Sequence, residues 1–133
     1  MATLTETAAS SPYDRIGGLD VLRRITDRFY DLMESEPAFT ALRAMHAPDL
    51  APMRQALPLF LAGWSGGPRT WWDANPGKCM VSMHTRFGID KTTAGQWADA
   101  MRQAIGDVAP PDTAIADALA DVLDRMALGM AKA

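Results

Sequence analysis

Leu22-Arg23-Arg24-Ile25-Thr26-Asp27-Arg28-Phe29-Tyr30-Asp31-Leu32-Met33 decides the class of fold. Leu22, Ile25, Phe29, Leu32 and Met33 recur at helical spacing and make one continuous apolar stripe, while Arg23, Arg24, Asp27, Arg28 and Asp31 lie mostly off it. An amphipathic helix therefore starts at Leu19, just after Gly17-Gly18, with a short helical turn at Ser11–Ile16 before it. Tyr30 falls about 100° around the helix from Phe29, on the flank of the stripe. An ordinary boundary tyrosine is the simpler reading, and a hydroxyl turned into a cavity beside the core is the alternative.

Downstream, Ser35-Glu36-Pro37 breaks the helix, because proline disfavours helical geometry in the residue before it. The spacing predicts a short helix around Ala38 to Met45 and a restart at Asp49, a good N-cap. The next helix carries Leu50, Met53, Leu57, Phe60, Leu61 and Trp64, with Pro58 inside it, and Gly66-Gly67-Pro68 ends it. From Arg69 to Gly77 the reading is a loop with at most one helical turn, centred on Trp71-Trp72. A short helix over Met80 to Thr85 follows. Asp90 caps a helix from Lys91 to Ile105, on which Trp97, Met101, Ala104 and Ile105 share a face. Asp107 to Pro111 is a break. The last helix begins near Asp112, with Ile115, Leu119, Val122, Met126 and Met130 as its stripe. No stretch alternates with a period of two, so the expectation is all-α: one domain over residues 12–130 behind an N-terminal tail, residues 1–11.

At 133 residues the chain is long enough to bury one core. Its net charge of −3 comes with no basic block, which argues against a nucleic-acid partner. One cysteine makes neither an internal disulfide nor a zinc cluster. No apolar run approaches the length of a membrane span, and the N-terminus lacks the basic start and apolar centre of a signal peptide, so the expectation is a cytoplasmic protein with no membrane partner. Nine Met and four Trp are unusual, and Met suits both irregular cores and ligand cavities.

The stretch Lys78-Cys79-Met80-Val81-Ser82-Met83-His84-Thr85-Arg86-Phe87-Gly88-Ile89 sets one of only two histidines among apolar side chains. Such an imidazole is more often a core histidine bonded to a backbone carbonyl than a ligand. Other chemistries fall away. There is no glycine-rich phosphate loop. His46 and His84 are too far apart for a His-x3-His zinc helix. A Cys79–His84 nucleophile pair has nothing to orient the imidazole, and no late helix has the exposed basic residues of a DNA-reading helix. A cofactor needing one protein ligand and a large apolar pocket remains, and haem is such a cofactor.

Phe29-Tyr30, Phe60-Leu61, Trp64-x-Gly66-Gly67-Pro68-Arg69-Thr70, Met83-His84-x-x-Phe87-x-Ile89 and Trp97-x-x-x-Met101, in that order, resemble a group II truncated haemoglobin over roughly residues 13–128. The ordered set is specific although each piece is weak alone. Gly-Gly-Pro sixteen residues before the His and Trp thirteen after it carry the most weight. The resemblance implies a two-over-two helical sandwich around haem b. It makes His84 the proximal iron ligand, Tyr30 the distal phenol and Trp97 the indole N–H donor that marks group II. His46 falls at the haem edge as a third distal donor, or else is a loop histidine in solvent. Met53 takes the place where other globins carry a distal histidine, and Leu57 is the next wall residue. The remaining expected lining is Leu50, Met80, Met83, Arg86, Phe87, Ile89, Met101 and Met126. Two familiar cations are replaced here by Met83 and Ala56, so the haem propionates turn to Arg54, Arg69, Lys78 or Arg86, with Arg86 and Lys78 preferred.

The function so implied is reversible binding of O₂ or another small ligand, with a reductase as a candidate partner and a monomer or weak homodimer as the assembly. The alternative is a haem enzyme acting on peroxide, nitric oxide or sulfide, peroxidase-like or NO dioxygenase-like. A haem-free helical module whose groove takes a partner helix is the third reading, and it predicts no Soret band.

Overall fold

The computed structural model describes residues 11–78, 84 and 87–131. The N-terminal tail up to residue 10, the expected helix over Met80–Thr85 apart from His84, and the candidates Met80, Met83 and Arg86 lie outside the described residues, as does Cys79. Among the described residues every regular element is helical.

Helix α1 (Pro12–Ile16) starts where Ser11 Oγ accepts the amide of Asp14 at 3.2 Å. It stops at Gly17, whose φ of 116° lies in the left-handed region that glycine tolerates. Helix α2 (Gly18–Ser35) then buries the expected stripe completely: Leu22, Ile25, Phe29 and Leu32 are 0% exposed and Met33 1%. Glu36 is extended, as a residue before proline should be, and Pro37–Phe39 form a 3-10 turn that runs into α3 (Thr40–Ala44). Phe39 and Leu42 are the residues these short pieces bury.

The Asp49 carboxylate accepts the amide of Ala51 at 3.0 Å at the start of α4 (Ala51–Trp64). Pro58 sits inside α4 on its buried side with Phe60 and Leu61. The single turn expected at the tryptophans is α5 (Thr70–Ala74). It folds back on α4: the Trp72 ring stacks on Phe60 at 4.9 Å, and its indole N–H donates to the Phe60 carbonyl at 3.2 Å. Gly63 makes this possible, because a Cβ there would collide with the Trp72 indole.

Helix α6 (Lys91–Val108) is capped reciprocally: Asp90 Oδ1 accepts the Thr93 amide at 2.8 Å, and Thr93 Oγ1 accepts the Asp90 amide at 3.2 Å. It runs three residues past the expected end and stops at Ala109, whose φ of 54° is left-handed. Asp112 caps α7 (Thr113–Gly129) through the Ile115 amide at 3.1 Å, and its other oxygen meets Arg15 of α1 at 3.1 Å.

On α7 the stripe is rotated from the expected one. Ile115, Leu119, Val122, Met126 and Met130 are all half-buried, and the deepest positions are Ala116, Ala120, Leu123 and Ala127, each one residue further along. That is a turn of about 100° around the helix. Small side chains let two helix backbones approach closely, so the alanine seam faces inward and the larger residues flank it. Helix α7 packs on α6, α6 on α2, and α2 on α4, which is the two-over-two arrangement.

Candidate functional site

Three of the singled-out rings are joined through α2. Phe29, fully buried, packs edge-on against Tyr30 at 4.9 Å and against Trp97 of α6 at 5.2 Å. Tyr30 in turn meets the His46 ring edge-on at 6.2 Å. Tyr30 is therefore no boundary residue. It is 2% exposed. Burial pushes its phenol above the ordinary tyrosine range, with the Arg54 guanidinium pulling the other way, so the group is a protonated O–H at neutral pH.

His46 follows α3 and is half-buried rather than a loop histidine in solvent. Its Nδ1 lies 2.9 Å from the Leu42 carbonyl. A carbonyl oxygen only accepts, so Nδ1 carries the proton and Nε2 of the neutral ring holds a lone pair. Burial lowers the His46 pKa. The Leu42 carbonyl opposes this, while the charges of Arg43 and His84 reinforce it.

Two residues that the sequence did not single out hold this corner. Gln96 of α6 accepts the Leu42 amide at 2.9 Å, tying α3 to the helix that carries Trp97. Arg43 donates to the carbonyls of Ala47 at 3.0 Å and Pro48 at 2.8 Å, clamping the turn that follows His46. Neither belongs to a motif, since both act through contacts that depend on the folded path of the chain.

His84 is half-buried, with its ring 5.9 Å from that of Phe87. Around it the expected lining divides. Leu50 and Met101 are buried in the helical core, whereas Leu57, Ile89, Trp97 and Met126 are half-buried. Met53 and Phe87 are large apolar side chains left 41% and 43% exposed.

Of the cations named for the propionates, Arg54 is already committed. Its Nη1 donates to the Asp27 carbonyl at 3.1 Å and to Asp27 Oδ1 at 3.4 Å. Its Nη2 donates to Asp31 at 2.8 Å and to Glu34 at 3.3 Å. Arg69 lies over the Trp72 ring at 5.2 Å, and Lys78 is exposed.

No group of three or more His, Cys, Asp or Glu side chains is placed to hold a bare metal ion among the described residues. The residues fit haem better. One half-buried imidazole could serve as an iron ligand, Met53 and Phe87 present apolar surface for a flat ring to cover, and the buried Tyr30 phenol stands beside His46.

Comparison with known proteins agrees. The sequence profile of the bacterial-like globins matches residues 11–132. The cold-adapted truncated hemoglobin of the Antarctic marine bacterium Pseudoalteromonas haloplanktis TAC125 is 27% identical, with 93% of this chain and 99% of that one covered at a TM-score of 0.87. The oxygen-avid truncated haemoglobin of Bacillus subtilis is 25% identical, covering 92% of this chain and all (100%) of its own, at 0.83. The group II 2-on-2 hemoglobin of the plant pathogen Agrobacterium tumefaciens shares the fold at 24% identity and 0.86, with 92% and 94% covered. With its helices in the truncated globin arrangement and the family profile spanning nearly its whole length, the chain belongs to the bacterial-like globins.

Proposed function

We propose that this globin takes haem b on His84 and reversibly holds a small ligand, O₂ foremost, with Tyr30 and Trp97 as hydrogen-bond donors in the manner of group II. The observation that carries the reading is the buried Tyr30 phenol, set beside His46 and braced by Phe29 against Trp97. The haem iron supplies the ligand-binding centre, and what the chain adds is polarity around it. A phenol O–H and an indole N–H stabilise a ligand that carries partial negative charge. Each such bond contributes about 1 kcal/mol net, which corresponds to roughly a fivefold change in an equilibrium constant. Met53 cannot donate, so the polar work falls to these two side chains. Lys78 and Arg86 are the cations we assign to the propionates, because Arg54 is held by three carboxylates. A cytoplasmic monomer or weak homodimer served by a reductase completes the reading.

Two measurements test it. Visible spectra of the ferric and reduced protein should show a Soret band that is lost or reshaped in His84→Ala, and its persistence unchanged would remove His84 as the ligand. O₂ release should quicken about fivefold in Tyr30→Phe or Trp97→Phe, in line with about 1 kcal/mol per donor. If neither variant changes it, the distal assignment fails.

A second reading is favoured by one specific contact. With its Nδ1 proton donated to the Leu42 carbonyl, neutral His46 presents an acceptor at Nε2 in place of the donor expected from the sequence. A distal base is what proton movement on a peroxide requires. Steady-state peroxide turnover that falls in His46→Gln while O₂ release is unchanged would favour this enzyme reading over simple ligand carriage.

A further inference from the structure

Arg54 points out of α4 onto three carboxylates of α2, and their spacing is informative. Asp27 lies three residues before Tyr30, Asp31 directly after it, and Glu34 four residues beyond, so the three acids bracket the turn of helix that carries the phenol. The guanidinium carbon stands 5.8 Å from the centre of the Tyr30 ring. One cation thus sits against the ring with its fork held from two sides. The side chain of Arg54 is 26% exposed, whereas those of Asp27, Asp31 and Glu34 are 58%, 56% and 47% exposed. Water screens the carboxylates more than it screens the guanidinium, and Arg54 is the charge that pulls on the Tyr30 phenol against the effect of burial.

A cation over an aromatic face is attracted by its quadrupole and draws electron density from the ring, which for a phenol strengthens the O–H as a donor. The same guanidinium bonds restrict where the α2 turn can sit relative to α4, and so restrict where the hydroxyl can point. We propose that Arg54 is the positioning residue for Tyr30: held by Asp27, Asp31 and Glu34, it fixes the phenol and polarises it toward the pocket, so that ligand retention depends on a residue that touches no ligand. This rests on Tyr30 acting as a donor to the ligand, as proposed above.

O₂ release is measured by stopped flow in the haem-loaded wild type, Arg54→Gln, Tyr30→Phe and the double variant. Alongside it, the ¹³C resonance of Tyr30 Cζ is followed in the carbon monoxide form of the wild type and Arg54→Gln. Arg54→Gln is expected to quicken release by up to the roughly fivefold lost with the Tyr30 bond itself, and to shift the Tyr30 resonance. In the Tyr30→Phe background the same change should add nothing. Equal acceleration in both backgrounds, or an unmoved resonance, would show that Arg54 only braces the helices and would overturn the proposal. No acceleration from Arg54→Gln while Tyr30→Phe accelerates release also overturns it and leaves the distal assignment standing. If Tyr30→Phe itself has no effect, the reading beneath the proposal falls with it. Should Arg54→Gln fail to fold, Arg54→Lys carries the test: it keeps a charge but loses the fork, and an intermediate release rate is expected only while Tyr30 is present.

Discussion

Along α7 the deepest positions are Ala116, Ala120, Leu123 and Ala127. Along α2 they include Leu22, Ile25, Phe29, Tyr30, Leu32 and Met33. The first set, three alanines and a leucine, is a mostly small-residue seam that brings α7 onto α6, with nothing polar to satisfy. The second is a stripe of large ones, and at Phe29 and Tyr30 it turns from packing into chemistry, because those two rings lead to His46 on one side and Trp97 on the other. The α6–α7 half is mainly a platform, tied at its rim by Arg102 to Asp121 and Asp124, and it lends Trp97 to the proposed distal side. The α2–α4 half is bulkier, is cross-linked at its rim by Arg54 to three acids, and carries the buried Tyr30 phenol. Close packing and ligand chemistry are thus separated by residue size: alanines where helices must approach, aromatics and an arginine where they must hold a side chain in place.

The largest test of that division is Phe29→Ala, since Phe29 joins the halves. Removing a fully buried aromatic should destabilise the fold by about 3–5 kcal/mol, read from the denaturation midpoint, and should also quicken ligand release because both donors lose their brace. Stability loss without any change in release would break the link drawn here between packing and site.

A smaller effect is expected from Ala120→Leu. Overpacking the seam should remove about 1–3 kcal/mol while leaving the release rate and Soret band of the folded fraction as in the wild type. A changed release rate would mean that the α7 seam, and not only Trp97 of α6, is coupled to the site.

The smallest effect concerns pH. His46 is held neutral by burial, so the unfolded chain takes up a proton near pH 6.5 that the native chain resists. In that window the unfolded state binds more protons, and stability therefore falls as the pH drops from about 6.5 through the lower native value. His46→Gln should flatten this part of the stability–pH curve. An unchanged slope would show that His46 takes up its proton as readily in the native protein as in the unfolded chain.

Much of this was legible in the chain because it depends on neighbours in sequence. The stripe of α2, the stop at Gly17, the break before Pro37 and the caps at Asp90 and Asp112 are local decisions, set by helical period and by backbone groups that need partners within a few residues. The ordered motifs from Phe29-Tyr30 to Trp97-x-x-x-Met101 were enough to place the family.

Only tertiary structure decided the rest. Helical period marks an apolar sector but not which of two adjacent lines within it lies deepest; the close approach of α6 settled that for α7, in favour of the alanines over Ile115 and Leu119. Tyr30 was a flank residue by period and became buried because α3 and the His46 turn close over it. Arg54 was one free cation among several until α2 brought Asp27, Asp31 and Glu34 within hydrogen-bonding reach. His46 was named for its ring, but the site of its proton was set by the Leu42 carbonyl one helical turn back. Sequence by itself determines helices, their punctuation and the kinds of chemistry available. The folded structure decides depth, partners and the direction of hydrogen bonds, because these depend on distances between atoms that the linear order leaves open.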